Sequence, residues 1–185
     1  MPPALLVIDL QREFARRTAA GLPRSNPGAE ARVAQVLALA RARGLAVIHI
    51  HHDDPDPKSG FRLGAPTGQP MDCAQPQPGE AVFVKHGSSA FIGTGLEDHL
   101  RASGIDTLIV IGAAVNFCVA STVRGAANLG FKVLLVRDAV FGFGVTGPDG
   151  RAHDPDTVLS VTLGTLGAGF ADLVQSDDLA AQLQG

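Results

Sequence analysis

Apolar residues in this chain gather into six short runs: Ala4 to Ile8, Leu45 to Ile50, Ala81 to Val84, Thr107 to Ile111, Phe131 to Val136 and Phe170 to Val174. Runs of this length without strict polar alternation are expected of parallel strands buried on both faces. Between them the period changes to that of a helix. Ala29 to Arg43 places Val33, Val36, Leu37 and Ala40 on one face and stops at Gly44. Gly95 to Ser103 carries Leu96 and Leu100 and stops at Gly104, and Asp156 to Leu166 follows a His153-Asp154-Pro155 opening. A further helix is predicted from Asn116, the expected N-cap, to about Gly130, with Cys118, Thr122, Ala126 and Leu129 at helical spacing. The tail can add a short helix. Strands alternating with helices imply right-handed crossovers and a parallel sheet with helices on both faces. The predicted fold is therefore a three-layer α/β/α, Rossmann-like arrangement around a six-stranded parallel sheet. No repeat or linker divides the chain, so residues 1–185 are expected to form one domain.

Three segments fall outside this pattern. A polar stretch with Gly21, Pro23 and Pro27 follows the first run and reads as a loop. Residues 55–79 contain Pro55, Pro57, Pro66, Pro70, Pro76 and Pro78 and show no period. Loops this long in a compact domain are usually functional or mobile, so this one is read as a flap over a site. Arg137 to Gly150 is glycine-rich and carries Phe141 and Phe143.

Composition narrows the partners. The chain is 45% hydrophobic and 18% charged, which is globular rather than disordered. A net charge of -3 gives no electrostatic case for nucleic acid or an anionic membrane, which leaves a small molecule as the expected partner. Two cysteines form no disulfide framework, and the start Met1-Pro-Pro-Ala-Leu-Leu-Val-Ile-Asp9 lacks the basic region of a signal peptide. No apolar run approaches membrane-spanning length. A cytoplasmic location is expected. No G-x-G-x-x-G opens the first helix, which argues against a nucleotide-binding domain.

In a parallel sheet, ligands bind outside the carboxyl ends of the strands. Asp9, Lys85 and Cys118 fall there, after the first, third and fourth runs, and the proline-rich flap and the Phe141–Phe143 loop leave the same edge. A carboxylate, an ammonium and a thiol make chemical sense together. Asp9 can take the thiol proton as general base. Lys85 and the start of a helix favour the thiolate over the thiol. Backbone N–H groups of the 113–118 turn can hold the oxygen of a tetrahedral intermediate. Cys118 is accordingly expected to react with iodoacetamide at lower pH than Cys73, which is read as incidental. Phe14, His52, Asn116, Phe117, Phe141 and Phe143 are expected to line the pocket. This set holds no Arg, though Arg12, Arg62 and Arg137 lie within reach on the loops.

These motifs, in this order, resemble the cysteine hydrolases of the isochorismatase-like superfamily, which includes nicotinamidases and N-carbamoylsarcosine amidohydrolase. The resemblance is carried by Leu5-Leu6-Val7-Ile8-Asp9-Leu10-Gln11-Arg12-Glu13-Phe14 and by Lys85 followed by Ser89-Ala90-Phe91. It continues through Gly93 to Gly104-Ile105, Gly112 to Val119 with Thr122 and Ala126, and Gly130 to Ala139. It implies a catalytic triad of Asp9, Lys85 and Cys118, a cis peptide at Ala113–Ala114, and an oxyanion hole from the Ala114 and Cys118 N–H groups. It also implies a homo-oligomer, dimer or tetramer. The leading reading is hydrolysis of a small non-peptide amide, carbamoyl or ureido compound through a Cys118 thioester. The alternatives are an isochorismatase-type vinyl-ether hydrolase, which does not need the thiol, and a non-catalytic small-molecule binder.

Departures from the family pattern are Val115, where relatives often carry Thr, and Gly125, where they often carry Asp. Nicotinamidases have an Asp/His metal site after the second strand. Here His49, His51, His52 and Asp53 crowd that region in a different order, so no metal and no cofactor is expected, although His49 and His51 share a strand face. His52 and Asp53 are instead expected to shape the pocket or anchor the flap. Turnover should therefore survive a strong chelator. Loss of turnover on chelation with recovery on added zinc or iron would make His49 and His51 the first suspects.

Overall fold

The computed structural model describes residues 2–183. Ala4–Ile8 (β1) is the axis of the sheet, buried at every position, with parallel neighbours on both sides. Arg12–Ala19 (α1) and Ala29–Ala42 (α2) lead to Ala46–His52 (β2), and an irregular segment leads to Ala81–Lys85 (β3). Leu96–Ala102 (α3), Thr107–Ala113 (β4), Ala120–Asn128 (α4) and Lys132–Phe141 (β5) follow. A small antiparallel pair, Val145–Thr146 (β6) with Ala152–His153 (β7), precedes Pro155–Gly167 (α5), Asp172–Val174 (β8) and Leu179–Gln182 (α6). The six-stranded sheet runs in the order β3-β2-β1-β4-β5-β8, and every pairing in it is parallel. This is the three-layer α/β/α architecture that the alternating runs predict.

Side chains of a strand alternate between its two faces, so β1 feeds two cores. Leu5 and Val7 pack with Val33, Val36 and Leu37 of α2 and with Leu179 of α6. Leu6 and Ile8 pack with Leu96 and Leu100 of α3 and with Val123 and Ala126 of α4. The switch in strand order falls between β1 and β4, because α2 and β2 go to one side of β1 while β4 and β5 return on the other. Asp9 and the turn after Ala113 therefore face each other across the crevice where ligands of such sheets bind.

Four elements differ from the expectation. Residues 12–19 are a helix, not part of a polar loop. Its one large buried apolar residue is Phe14, so a hydrophobic period is hardly visible, and Glu13 is buried instead because Arg16 and Arg17 both hold it. β5 does not end at Val136 but runs on to Phe141. The exposed Arg137 and half-buried Asp138 interrupt the apolar run, and the pairing shifts register there: Val110 faces Leu135 but Gly112 faces Val140, so the extra residues lie in β5. The glycine-rich segment contributes the β6–β7 pair. The sixth strand is short, Asp172–Val174 rather than Phe170–Val174.

The 55–79 segment is irregular apart from single 3₁₀ turns at Pro66–Gly68 and Asp72–Ala74. Its second half is sewn to the end of β1. Met71 N–H donates to the Leu10 carbonyl at 2.8 Å, Arg12 N–H to that of Gln69 at 2.9 Å, and Gln11 Nε2 to that of Gly68 at 2.7 Å. Met71 and Ala74 are buried in the α2-side core. No helix among the described residues is long and apolar enough to cross a membrane.

Gly112 makes the crevice possible. It lies opposite Ile8 at φ +134°, and a Cβ there would collide with the Ile8 backbone. Both the dihedral and the close approach require glycine. Gly112→Ala should therefore lower stability by about 3 kcal/mol or more, read from the midpoint of urea unfolding. A loss within about 0.5 kcal/mol, the range of ordinary surface changes, would show the β1–β4 contact to be loose.

Candidate active site

The turn after β1 aims a carboxylate into the crevice. Asp9 takes a left-handed conformation, φ +50°, its N–H donates to the Ile50 carbonyl at 2.9 Å, and its carbonyl accepts from Gln11 N–H at 2.7 Å. Asp tolerates this region better than most residues. Lys85 ends β3 opposite His52 and is fully buried, whereas Val82 and Val84 of the same strand are exposed. Its Nζ lies 2.8 Å from Asp9 Oδ2 and donates to the Gly87 carbonyl at 3.0 Å and to Cys118 Sγ at 3.2 Å. His52 Nδ1 stands 3.5 Å from the same nitrogen. The three residues that the sequence places at separate strand ends thus meet around one ammonium.

Cys118 does not sit in an ordinary first helical turn. Val115–Val119 winds as a π-helical turn, and the residue leading into it is Ala114, in extended conformation. The Phe117 and Val119 N–H groups both donate to the Ala114 carbonyl, at 3.1 and 3.2 Å. Asn116 is therefore not the N-cap: it is inside the turn and caps nothing, and its buried Oδ1 has no hydrogen-bond partner among the described residues. The Ala113–Ala114 peptide bond is cis.

The electrostatics correct the expected thiolate. Burial, and then the Asp9 charge, push the Cys118 thiol up to about 12, against the pull of Lys85. Burial also raises the Asp9 carboxyl above its usual range, although Lys85 opposes it. The reason is geometric. The Lys85 charge is spent at 2.8 Å on Asp9, so the sulfur sees a nearly neutral pair inside a low-dielectric site. The resting arrangement is a buried ion pair beside a thiol.

These groups open onto a cavity of about 520 Å³. Phe14, His52, Asn116, Phe117 and Phe143 line it, as do Ala114 and the catalytic candidates Asp9 and Cys118. Phe117 sits at the rim, 58% exposed. Phe141 does not line it. Because β5 extends to that residue, its ring is fully buried, with ring centroids of Phe14 and Phe143 at 5.7 and 6.3 Å, so it backs the wall.

Several lining residues escape the sequence reading, Phe61 and Arg17 among them. Phe61, from the proline-rich segment, meets Phe14 edge-on at 4.8 Å. Arg17, on α1, follows Phe14 by three residues and so shares its side of the helix; recognising α1 from its Glu13–Arg16–Arg17 spacing would have placed it there. Of the arginines expected on loops, Arg12 opens α1 and pairs with Asp72 in solvent, Arg137 lies in β5, and neither Arg62 nor Arg137 lines the cavity. Gln11 is a further omission. Its side chain accepts from His52 N–H and donates to the His52 carbonyl, each at 2.9 Å, fixing the end of β2 to the end of β1.

The histidines divide by face. Burial, then Lys85, lowers the His52 pKa, so its ring at the cavity is neutral. His49 and His51 point to the other face of β2. His49 Nε2 is 2.8 Å from Glu80, which also binds Arg41, and burial with His49 drives His51 down to about 4.

A family model described as Isochorismatase domain matches residues 3–154. The chain belongs to the isochorismatase family and is a hydrolase of that family. It is 32% identical to the uncharacterized isochorismatase family protein YrdC of Bacillus subtilis, over 95% of this chain and 93% of the relative. It is 31% identical to maleamate amidohydrolase of Pseudomonas putida, over 98% and 87% of the two chains. A crystal structure of an isochorismatase-family protein from Chromobacterium violaceum superposes with a TM-score of 0.94 at 41% identity, covering 99% of this chain and 94% of the other.

In the unliganded protein Cys118 should label slowly with iodoacetamide near neutral pH, with no low-pH advantage over Cys73, whose thiol burial pushes up to about 11. Asp9→Asn removes a negative charge facing the sulfur, so labelling of Cys118 at about pH 8 should rise by about tenfold, the effect of one pKa unit. Peptide-resolved mass spectrometry reads both. Fast labelling of Cys118 at about pH 6 in the native protein would restore the thiolate.

Proposed function

From that family membership we propose that the protein hydrolyses a small non-peptide amide, carbamoyl or ureido compound through a thioester on Cys118. The observation that carries the reading is the single ammonium, Lys85 Nζ, held 2.8 Å from Asp9 and 3.2 Å from Cys118 Sγ, where those two residues line a cavity that fits a small molecule. A carboxylate of raised pKa is a usable base, and a thiol beside it is a nucleophile awaiting a base.

In this mechanism Asp9 takes the Cys118 proton as the sulfur attacks the carbonyl carbon. The negative charge moves to the carbonyl oxygen, received by the N–H groups of Ala114 and Cys118. Asp9 then gives the proton to the leaving nitrogen, the C–N bond breaks, and ammonia or an amine departs. A water molecule, losing a proton to Asp9, attacks the thioester, and that proton returns to the sulfur as the acid leaves. One amide and one water become one acid and one amine. Lys85 stays charged throughout and keeps the carboxylate available. Proton transfer is coupled to attack because the free thiolate is costly here. The amidohydrolase activity in the name of the Pseudomonas putida relative supports this class of reaction.

One observation favours a second reading. A buried carboxyl with a raised pKa also suits a proton donor, which is what vinyl-ether hydrolysis by an isochorismatase-type enzyme needs. The test is an ammonia-release screen over small amides, maleamate among them, beside Cys118→Ala and Asp9→Asn. Cys118→Ala should abolish turnover, and Asp9→Asn should lower it by at least about a hundredfold. Turnover quenched early should leave the acyl mass on the Cys118 peptide. Pyruvate released from isochorismate, with no adduct and an active Cys118→Ala variant, would sink the amidase reading and promote the second. No turnover of either kind would leave a binding protein.

A further inference from the structure

We infer that Arg17 selects substrates carrying a carboxylate at the end remote from the scissile bond, so that the enzyme acts on monoamides of small dicarboxylic acids and their carbamoyl or ureido counterparts. The inference rests on the proposed amide hydrolysis and adds its substrate class.

Charge around the cavity gives the argument. The charged side chains lining it are Asp9 and Arg17, and the Asp9 charge is already matched by Lys85. Arg17 shares one acid, Glu13, with Arg16. Arg16 binds it twice, at 2.7 and 2.8 Å, while Arg17 reaches it through Nε alone at 2.9 Å. The bonds from Arg16 and Arg17 hold the Glu13 carboxyl below the usual range, so it counts as one negative charge against two guanidiniums. A net positive charge remains at the cavity wall. The terminal nitrogens of Arg17 make no hydrogen bond among the described residues, although its side chain is only 40% exposed. Its guanidinium carbon lies 5.0 Å from the Phe61 ring centroid, which orients the planar group. A planar, oriented fork with free donors is suited to a carboxylate. The other nearby guanidiniums do not line the cavity: Arg12 pairs with Asp72, and the buried Arg24 binds Glu30 through Nη2 and lies over the face of Phe141, with its Nε and Nη1 unpartnered among the described residues.

Position completes it. Phe14, one turn before Arg17, belongs to the core on the α2 side of the sheet, and Cys118 packs against the core on the α3–α4 side. The cavity thus crosses the ends of the strands, with the thiol on one side and the guanidinium on the other. A ligand that places its carbonyl at Cys118 extends its far end past the apolar rings of Phe14, Phe61 and Phe143 toward a cation. Short carbon chains ending in a carboxylate match that sequence of surroundings.

The experiment compares dicarboxylic acid monoamides, from oxamate to adipamate, with their neutral diamides, in the native enzyme, Arg17→Met and Arg17→Lys. The native enzyme should prefer the best monoamide over its diamide by at least about tenfold in kcat/KM, the scale of one charge-assisted contact. Arg17→Met should lose that preference, chiefly through a higher KM for the monoamide, and Arg17→Lys should recover part of it. A native preference that Arg17→Met leaves intact, or no preference at all, overturns the inference while Cys118-dependent ammonia release still supports the amidase reading. Should no compound be turned over, or turnover prove independent of Cys118, the amidase reading fails. The inference is then decided by calorimetry of the monoamides on Cys118→Ala. Binding weakened about tenfold by adding Arg17→Met upholds it, and absent or unchanged binding overturns it.

Discussion

A fully buried ammonium holds this site together. Lys85 carries its charge to the end of a strand where water cannot solvate it, and such a charge persists only when every proton finds an acceptor. Asp9, the Gly87 carbonyl and the Cys118 sulfur supply those acceptors. The demand is mutual. Removing one member of a buried pair leaves the other uncompensated, typically at about 3–5 kcal/mol, so the residues aligned for chemistry are also bound to the stability of three strand ends. The left-handed turn at Asp9 and the glycine at position 112 are the backbone conditions that let β1 and β4 approach closely enough for this to happen.

The same pairing determines what kind of nucleophile Cys118 is. A lone lysine beside a thiol produces a thiolate; a lysine already neutralised by a carboxylate does not. The sulfur here rests protonated, and in the proposed mechanism it relies on Asp9 at the moment of attack. In that mechanism no reactive anion forms until a carbonyl is in place. A protonated thiol is also oxidised and alkylated more slowly than a thiolate.

Around this centre the cavity is shaped by segments without regular structure of their own. Gln11 ties β1, β2 and the proline-rich segment to one another through a single amide side chain. Phe14, Phe61 and Phe143 form an aromatic wall whose position is set from behind by Phe141. Beside this wall Arg17 brings a guanidinium into the lining.

Much of this was legible in the residues themselves. Unalternating apolar runs between helical periods determine a parallel sheet with covered faces, because only both-sided burial rewards such runs. Topology then places the residue after each run at one edge, so Asp9, Lys85 and Cys118 could be brought to the same crevice from their order alone. The sequence could not determine the charge state of Cys118, because that depends on whether Lys85 sits nearer the sulfur or the carboxylate, a matter of a fraction of an ångström. It concealed α1, whose buried face is one phenylalanine and an ion-paired glutamate, and with it Arg17. It also misplaced Phe141, since a charged pair in mid-strand looks like a strand end, whereas β5 takes up the extra residues at a register shift and pairs with β4 again at Val140 and Phe141. Local pattern specifies which segments are buried; only packing decides which side chains share a cavity, because contact between residues far apart in the chain leaves no local signal.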